Sequence, residues 1–141
     1  MLDFTPDQRG LIPAAYARRY KELGDFIRSC YGNPIQTKGS AISDDSLIHL
    51  IFDSTPFTAD RSVIQEDQTL GQVIRSYTID VQLVDGTSNS TWMTVANGTS
   101  IGNKKIDVWQ VGAQLVNAVR LTITKAVDKP VIKAFNVYLC S

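Results

Sequence analysis

Apolar and polar positions alternate in two rhythms along this chain, and the change of rhythm divides it. Ile12, Tyr16, Tyr20, Leu23, Ile27 and Cys30 follow one another at steps of three and four, the spacing that lines one side of an α-helix. Arg18, Arg19, Lys21, Glu22, Asp25 and Arg28 fill the other side. Pro13 suits the first helical turn, and Gly32 followed by Asn33-Pro34 suits the exit. Gly24, inside the helix, is expected to mark close packing against another element.

Beyond Pro34 the period becomes two. Leu47 to Phe52 is a short apolar run that fits a buried strand, and a turn containing Pro56 separates it from a strand over Ser62–Glu66. Tyr77, Ile79, Val81 and Leu83 alternate with Thr78, Asp80 and Gln82, the clearest half-buried strand in the chain. Asp85-Gly86 opens a hairpin turn toward Trp92–Ala96, and Asn97-Gly98 makes the next turn, before Lys105–Trp109. Val119, Leu121 and Ile123 alternate with polar residues, and Asp128-Lys129-Pro130 turns the chain into a last strand, Ile132–Leu139. Six to eight short strands punctuated this way predict a mainly β fold. The expected form is an antiparallel β-sandwich or jelly roll preceded by one N-terminal helix. The expected division is residues 1–32 for the linker and helix, and 33–141 for the sandwich.

Composition narrows the chemistry. The chain has 141 residues, enough for one compact domain, and its 14 basic residues balance 14 acidic ones. A neutral chain without a basic run gives no reason to expect nucleic acid as a partner. No apolar stretch approaches the roughly 20 residues that span a bilayer. Met1–Asp7 has neither the basic start nor the apolar run of a signal peptide. The chain therefore reads either as cytosolic or as part of a longer, secreted or lysosomal precursor. Two sequons, at Asn89 and Asn97, favour the second reading, although both triplets are also rich in turn residues. Cys30 and Cys140 flank the β region. Bridged, they would close a loop worth roughly 4–5 kcal/mol in the chain-entropy model; otherwise they are buried free thiols.

Catalytic constellations are missing. The single histidine, His49, sits in an apolar strand and reads as a packed or surface strand residue. That leaves a nucleophilic triad without another histidine as base and a metal site without convergent histidine ligands. The paired carboxylates Asp44-Asp45 and Glu66-Asp67 lie on loops or strand ends, where acidic residues are common. The polar run Gln65–Gln72 has side chains suited to binding sugar hydroxyls, or to satisfying backbone groups at a strand end. Trp92 and Trp109 lie in alternating strands and are expected to pack in the core.

Several segments resemble α-L-fucosidases of glycoside hydrolase family 29. Leu2–Pro13 is similar to the stretch leaving that family's catalytic barrel, Leu23–Ile27 to the helix that follows, and Asn33-Pro34-Ile35 to its exit. Val63-Ile64-Gln65-Glu66-Asp67 with Gly71-Gln72 is the most specific match. Trp92, Asn97–Ile106, Val119-Arg120-Leu121 and Pro130-Val131-Ile132 reinforce it in order and spacing. The resemblance implies a galactose-binding-like, discoidin-type sandwich of the kind found behind the barrel, and Cys30 and Cys140 echo the terminal disulfide of such domains. The family's catalytic residues belong to the barrel, so none carries over. The implied function is a structural or weakly carbohydrate-binding accessory domain, with a stand-alone lectin-like protein or a protein-interaction module as alternatives. Its expected partners are the barrel and a glycan containing fucose or galactose, held by Gln65, Glu66, Asp67, Gln72 and Arg75. Val73 stands where the family usually has Arg, and the stretch from Pro34 to Leu47 is short. No cofactor is expected, and calcium has no support in the sequence.

Overall fold

The computed structural model describes residues 6–38, 47–69, 71–84 and 91–140. They form two compact units that divide after Asn33. In the first, α1 spans Ala14–Tyr31. Pro13 is its N-cap, and its carbonyl accepts from the amides of Tyr16 (2.9 Å) and Ala17 (3.1 Å). Gly32 closes the helix while still in right-handed helical conformation, donating to the Arg28 carbonyl at 3.0 Å. A Cβ on Gly24 would meet the Arg28 guanidinium of the same helix, 3.4 Å away. Ion pairs Arg19–Glu22 (3.0 Å) and Lys21–Asp25 (2.6 Å) run along the polar side. Tyr16, Leu23, Phe26 and Ile27 are exposed, as are Leu11 and Ile12 ahead of the helix.

The second unit is a β-sandwich. Its strands are β1 (Gln36–Lys38), β2 (Ile48–Ala59), β3 (Arg61–Glu66), β4 (Ile74–Leu83), β5 (Trp92–Gly98), β6 (Lys105–Val108), β7 (Gln114–Ala126) and β8 (Ile132–Tyr138). One sheet has the order β1-β8-β3-β6 and the other β2-β7-β4-β5, with every pairing antiparallel. From β2 onward the chain changes sheet at every connection except β4 to β5. Each half of the sandwich is thus assembled from distant segments. The turn expected at Pro56 is absent, because β2 continues through it with a register shift between Phe52 and Phe57. Proline has no N–H to donate, and β2 is an edge strand, where such an interruption is tolerated. The hairpin foreseen before Trp92 is present as the β4–β5 pair, while its turn at Asp85-Gly86 lies outside the described residues.

Period-two alternation fills the space between the sheets. Tyr77, Ile79 and Val81 of β4 and Val119 and Leu121 of β7 are fully buried from one side. Ile64, Phe135 and Val137 meet them from the other. Trp109, just beyond β6, is 2% exposed and belongs to this core. His49 is a buried strand residue opposite Leu121. The expectation for Trp92 fails: it is only half-buried and outside the core. A register shift between Ile79 and Asp80 pairs Trp92 with Gln82 and Thr94 with Asp80. Their side chains therefore point away from the core, because successive strand residues face opposite sides.

Tyr77 also constrains β5. A Cβ on Gly98 would come within 2.6 Å of the Tyr77 hydroxyl oxygen and 2.7 Å of its ring. Gly98→Ala is therefore expected to destabilise the domain by about 1–3 kcal/mol. The check is a lowered urea midpoint with an unchanged m-value, and an unshifted midpoint refutes the tight approach.

Candidate functional site

At one end of the sandwich, Glu66 closes β3 with its side chain turned inward and 2% exposed. Its Oε1 accepts from the amides of Val73 (2.7 Å) and Ile74 (3.0 Å), and Oε2 accepts from the Gly102 amide (3.1 Å). The Glu66 amide in turn donates to the Gly102 carbonyl at 2.9 Å. Gly102 has φ +69°, a left-handed conformation that glycine adopts without strain. One buried carboxylate thus fastens two loops to the end of a strand. Both its oxygens are engaged by backbone, so Glu66 is a structural anchor rather than a group facing ligand.

The other residues singled out in this loop are spread out. Asp67 forms a tight turn, accepting from the Thr69 amide (2.9 Å) and hydroxyl (2.5 Å), and these bonds hold its carboxyl below the ordinary range. Gln72 approaches Gly102: a Cβ there would lie 3.4 Å from its side-chain nitrogen. The Arg75 guanidinium donates to the carbonyls of Gln72 and Ile74, each at 3.0 Å. Gln65, half-buried on β3, pairs with Ala134 and alternates with inward-facing Ile64 and Glu66. Neither cysteine is free: Cys30 and Cys140 are both disulfide-bonded. Asn97 is exposed on β5, while Asn89, Asp44 and Asp45 lie outside the described residues. Among the described residues, no three or more His, Cys, Asp or Glu side chains cluster so as to hold a metal ion. No described helix is long and apolar enough to cross a membrane.

Sequence reasoning missed a second polar group, on the outer face of the β2-β7-β4-β5 sheet. Asp80 of β4 lies opposite Arg120 of β7 and Thr94 of β5. Its Oδ2 accepts from Arg120 Nε (3.2 Å) and Nη2 (3.0 Å), and its Oδ1 from the Thr94 hydroxyl (2.7 Å). The Arg120 guanidinium lies over the Trp92 ring, 4.3 Å from its centroid, a cation–π arrangement. Gln82 sits beside Trp92 in register. The signal was available in the polar phase of the alternation, where Asp80 and Gln82 share a side with Arg120, but the cross-strand pairing had to be known to bring them together.

Two further carboxylates matter for stability. Burial pushes the Asp107 carboxyl up, against the pull of the Tyr77 hydroxyl that donates to it at 2.8 Å and of Lys105. Burial alone would raise Asp60 as well. The paired bonds from Arg61 (2.8 and 2.7 Å) and one from the Cys140 amide (3.1 Å) nevertheless hold it below 3.8, the ordinary aspartate value. A carboxyl lowered in the folded state contributes stability above the unfolded value and loses it as the pH falls through the folded one. Asp60→Asn should therefore flatten the fall in urea midpoint on acidification below about pH 4; an unchanged slope contradicts this. Glu66→Ala strands three buried amides and should cost about 1–3 kcal/mol or more. Glu66→Gln presents an amide donor to amides that already donate, and should cost less than the alanine. Equal stability of all three proteins would refute the anchor.

No protein-family model matches the chain, and no curated protein matches it. Solved structures do. Over 97% of its length the chain is similar to a Bacteroides thetaiotaomicron protein described as an alpha-L-fucosidase, at 32% identity and a TM-score of 0.83. A Ruminococcus gnavus GH29 fucosidase, solved with fucose, matches over 96% of the chain at 18% identity and a TM-score of 0.76. A chitosan-binding module from a Paenibacillus chitosanase/glucanase matches 64% of the chain and 66% of its own length, at 21% identity and a TM-score of 0.52. The chain spans 29% of the Bacteroides protein and 32% of the Ruminococcus one. From nearly end to end, the chain is similar to one part of the glycoside hydrolase family 29 α-L-fucosidases, consistent with their C-terminal domain.

Proposed function

We propose that this chain is a non-catalytic accessory domain of an α-L-fucosidase, one that holds glycan while a separate domain performs hydrolysis. The observation that carries the reading is the whole-chain match to under a third of the Bacteroides protein, at 32% identity. The carboxylates support it. Glu66 is spent on backbone amides, Asp107 on Tyr77, and Asp80 on Arg120 and Thr94. None of these is a matched acid and nucleophile across an open cleft, the arrangement glycoside hydrolysis needs. The fold shared with a chitosan-binding module supports carbohydrate as the ligand class, and the proposed glycans contain fucose or galactose. The exposed apolar residues Leu11, Ile12, Tyr16, Leu23, Phe26 and Ile27 supply the kind of surface that a neighbouring catalytic domain covers. A disulfide and the exposed Asn97 sequon fit an oxidising, extracytoplasmic compartment.

The test combines a glycan array with an aryl-fucoside assay on the purified chain. Saturable binding to fucose- or galactose-containing oligosaccharides, without fucose release, is expected. Turnover abolished by Glu66→Gln overturns the non-catalytic reading, and the absence of binding to any glycan overturns the carbohydrate reading.

A further inference from the structure

The outer face of the β2-β7-β4-β5 sheet gathers polar and aromatic side chains around one ion pair. Among the described residues, Arg120 Nη1, the Gln82 amide and the Trp92 indole N–H make no hydrogen bond, although each residue is half-buried. They share this face with the Asp80 carboxylate, itself 8% exposed and held by Arg120 and Thr94. Leu50, 44% exposed, flanks Arg120 from β2. The face thus combines a large aromatic ring, aliphatic side chains and several directional donors and acceptors. All are carried on hydrogen-bonded strands.

We infer that this face is a binding surface for a neutral, hydroxyl-rich oligosaccharide lying across β4, β5 and β7. The inference rests on the carbohydrate reading above and names the site for it. A pyranose has an apolar face of C–H groups that packs on an indole, here on the ring face opposite the Arg120 guanidinium, and adjacent hydroxyls that match planar carboxylate, amide and guanidinium groups. Charge decides the ligand class. Asp80 and Arg120 neutralise each other at 3.0 Å, so the face offers no net charge to an acidic or cationic sugar. Stacking on Trp92 and the bonds to Asp80 fix the Arg120 guanidinium before any ligand arrives. That reduces the ordering cost of binding.

The chain's two tryptophans make the test specific, because Trp109 is buried in the core at 2% exposure. Neutral galactose- and fucose-terminated oligosaccharides are titrated into the intact chain, with oligogalacturonate as the acidic probe. Binding is followed by indole N–H resonances and fluorescence. The expected result is a saturable shift of the Trp92 indole signal with neutral sugars while that of Trp109 stays in place. Affinity should fall at least tenfold in Trp92→Ala and recover in part in Trp92→Phe, which keeps an aromatic face. Unaltered neutral-sugar affinity in Trp92→Ala, with the wild-type chain binding normally, overturns this site and leaves the carbohydrate reading standing. Response to oligogalacturonate alone overturns the neutral ligand class. If the wild-type chain binds no sugar, both readings fall together.

Discussion

The antiparallel ladder between β4 and β7 is the constraint on which the rest of the sandwich depends. These are the two central strands of their sheet, and their register sets Tyr77 beside Ile123, Ile79 beside Leu121 and Val81 beside Val119. All face the core and are at most 4% exposed. Because strand side chains alternate, the same register fixes Thr78, Asp80 and Arg120 on the opposite side. One ladder therefore builds the hydrophobic interior and the polar outer surface together. A one-residue slip would exchange them.

Its ends are held by polar groups taken into the interior. Glu66 fastens the loop before β4 and the loop before β6 to the end of β3, through three amides. Asp107 of β6 accepts the Tyr77 hydroxyl of β4 across the sandwich. A buried carboxylate is costly unless its oxygens are satisfied, and each of these repays its burial by joining segments distant in sequence. The most specific family-like motif, Val63 to Asp67, is thus a folding device at its Glu66 position. An acidic residue in a polar loop looks alike in sequence whether it meets a ligand or a ring of amides.

What could be read beforehand follows from the range of each interaction. The steps of Tyr77, Ile79 and Val81 reveal a strand directly, and the three-and-four spacing from Ile12 to Cys30 reveals the helix, because both signals are local. The positions of Pro56 and Trp92 depart from the sequence expectation for the opposite reason. Whether a proline ends a strand depends on whether that strand lies at an edge, and Trp92's facing depends on a register shift in β4–β5. The Asp80–Arg120–Trp92 group joins residues up to 40 positions apart, so it became visible only once the strands were paired.

Together the fold, the engaged carboxylates and the outer-face chemistry support the proposed reading, a domain that holds sugar without cutting it. A crystal structure of the chain soaked with a fucose- or galactose-containing neutral oligosaccharide tests this most directly. A sugar ring stacked on Trp92, with hydroxyls bonded to Asp80, Gln82 or Arg120, is the predicted result. Sugar seated instead at the loop of Asp67 and Gln72, with the outer face bare, would contradict the outer-face site, and sugar at neither place would contradict the account as a whole.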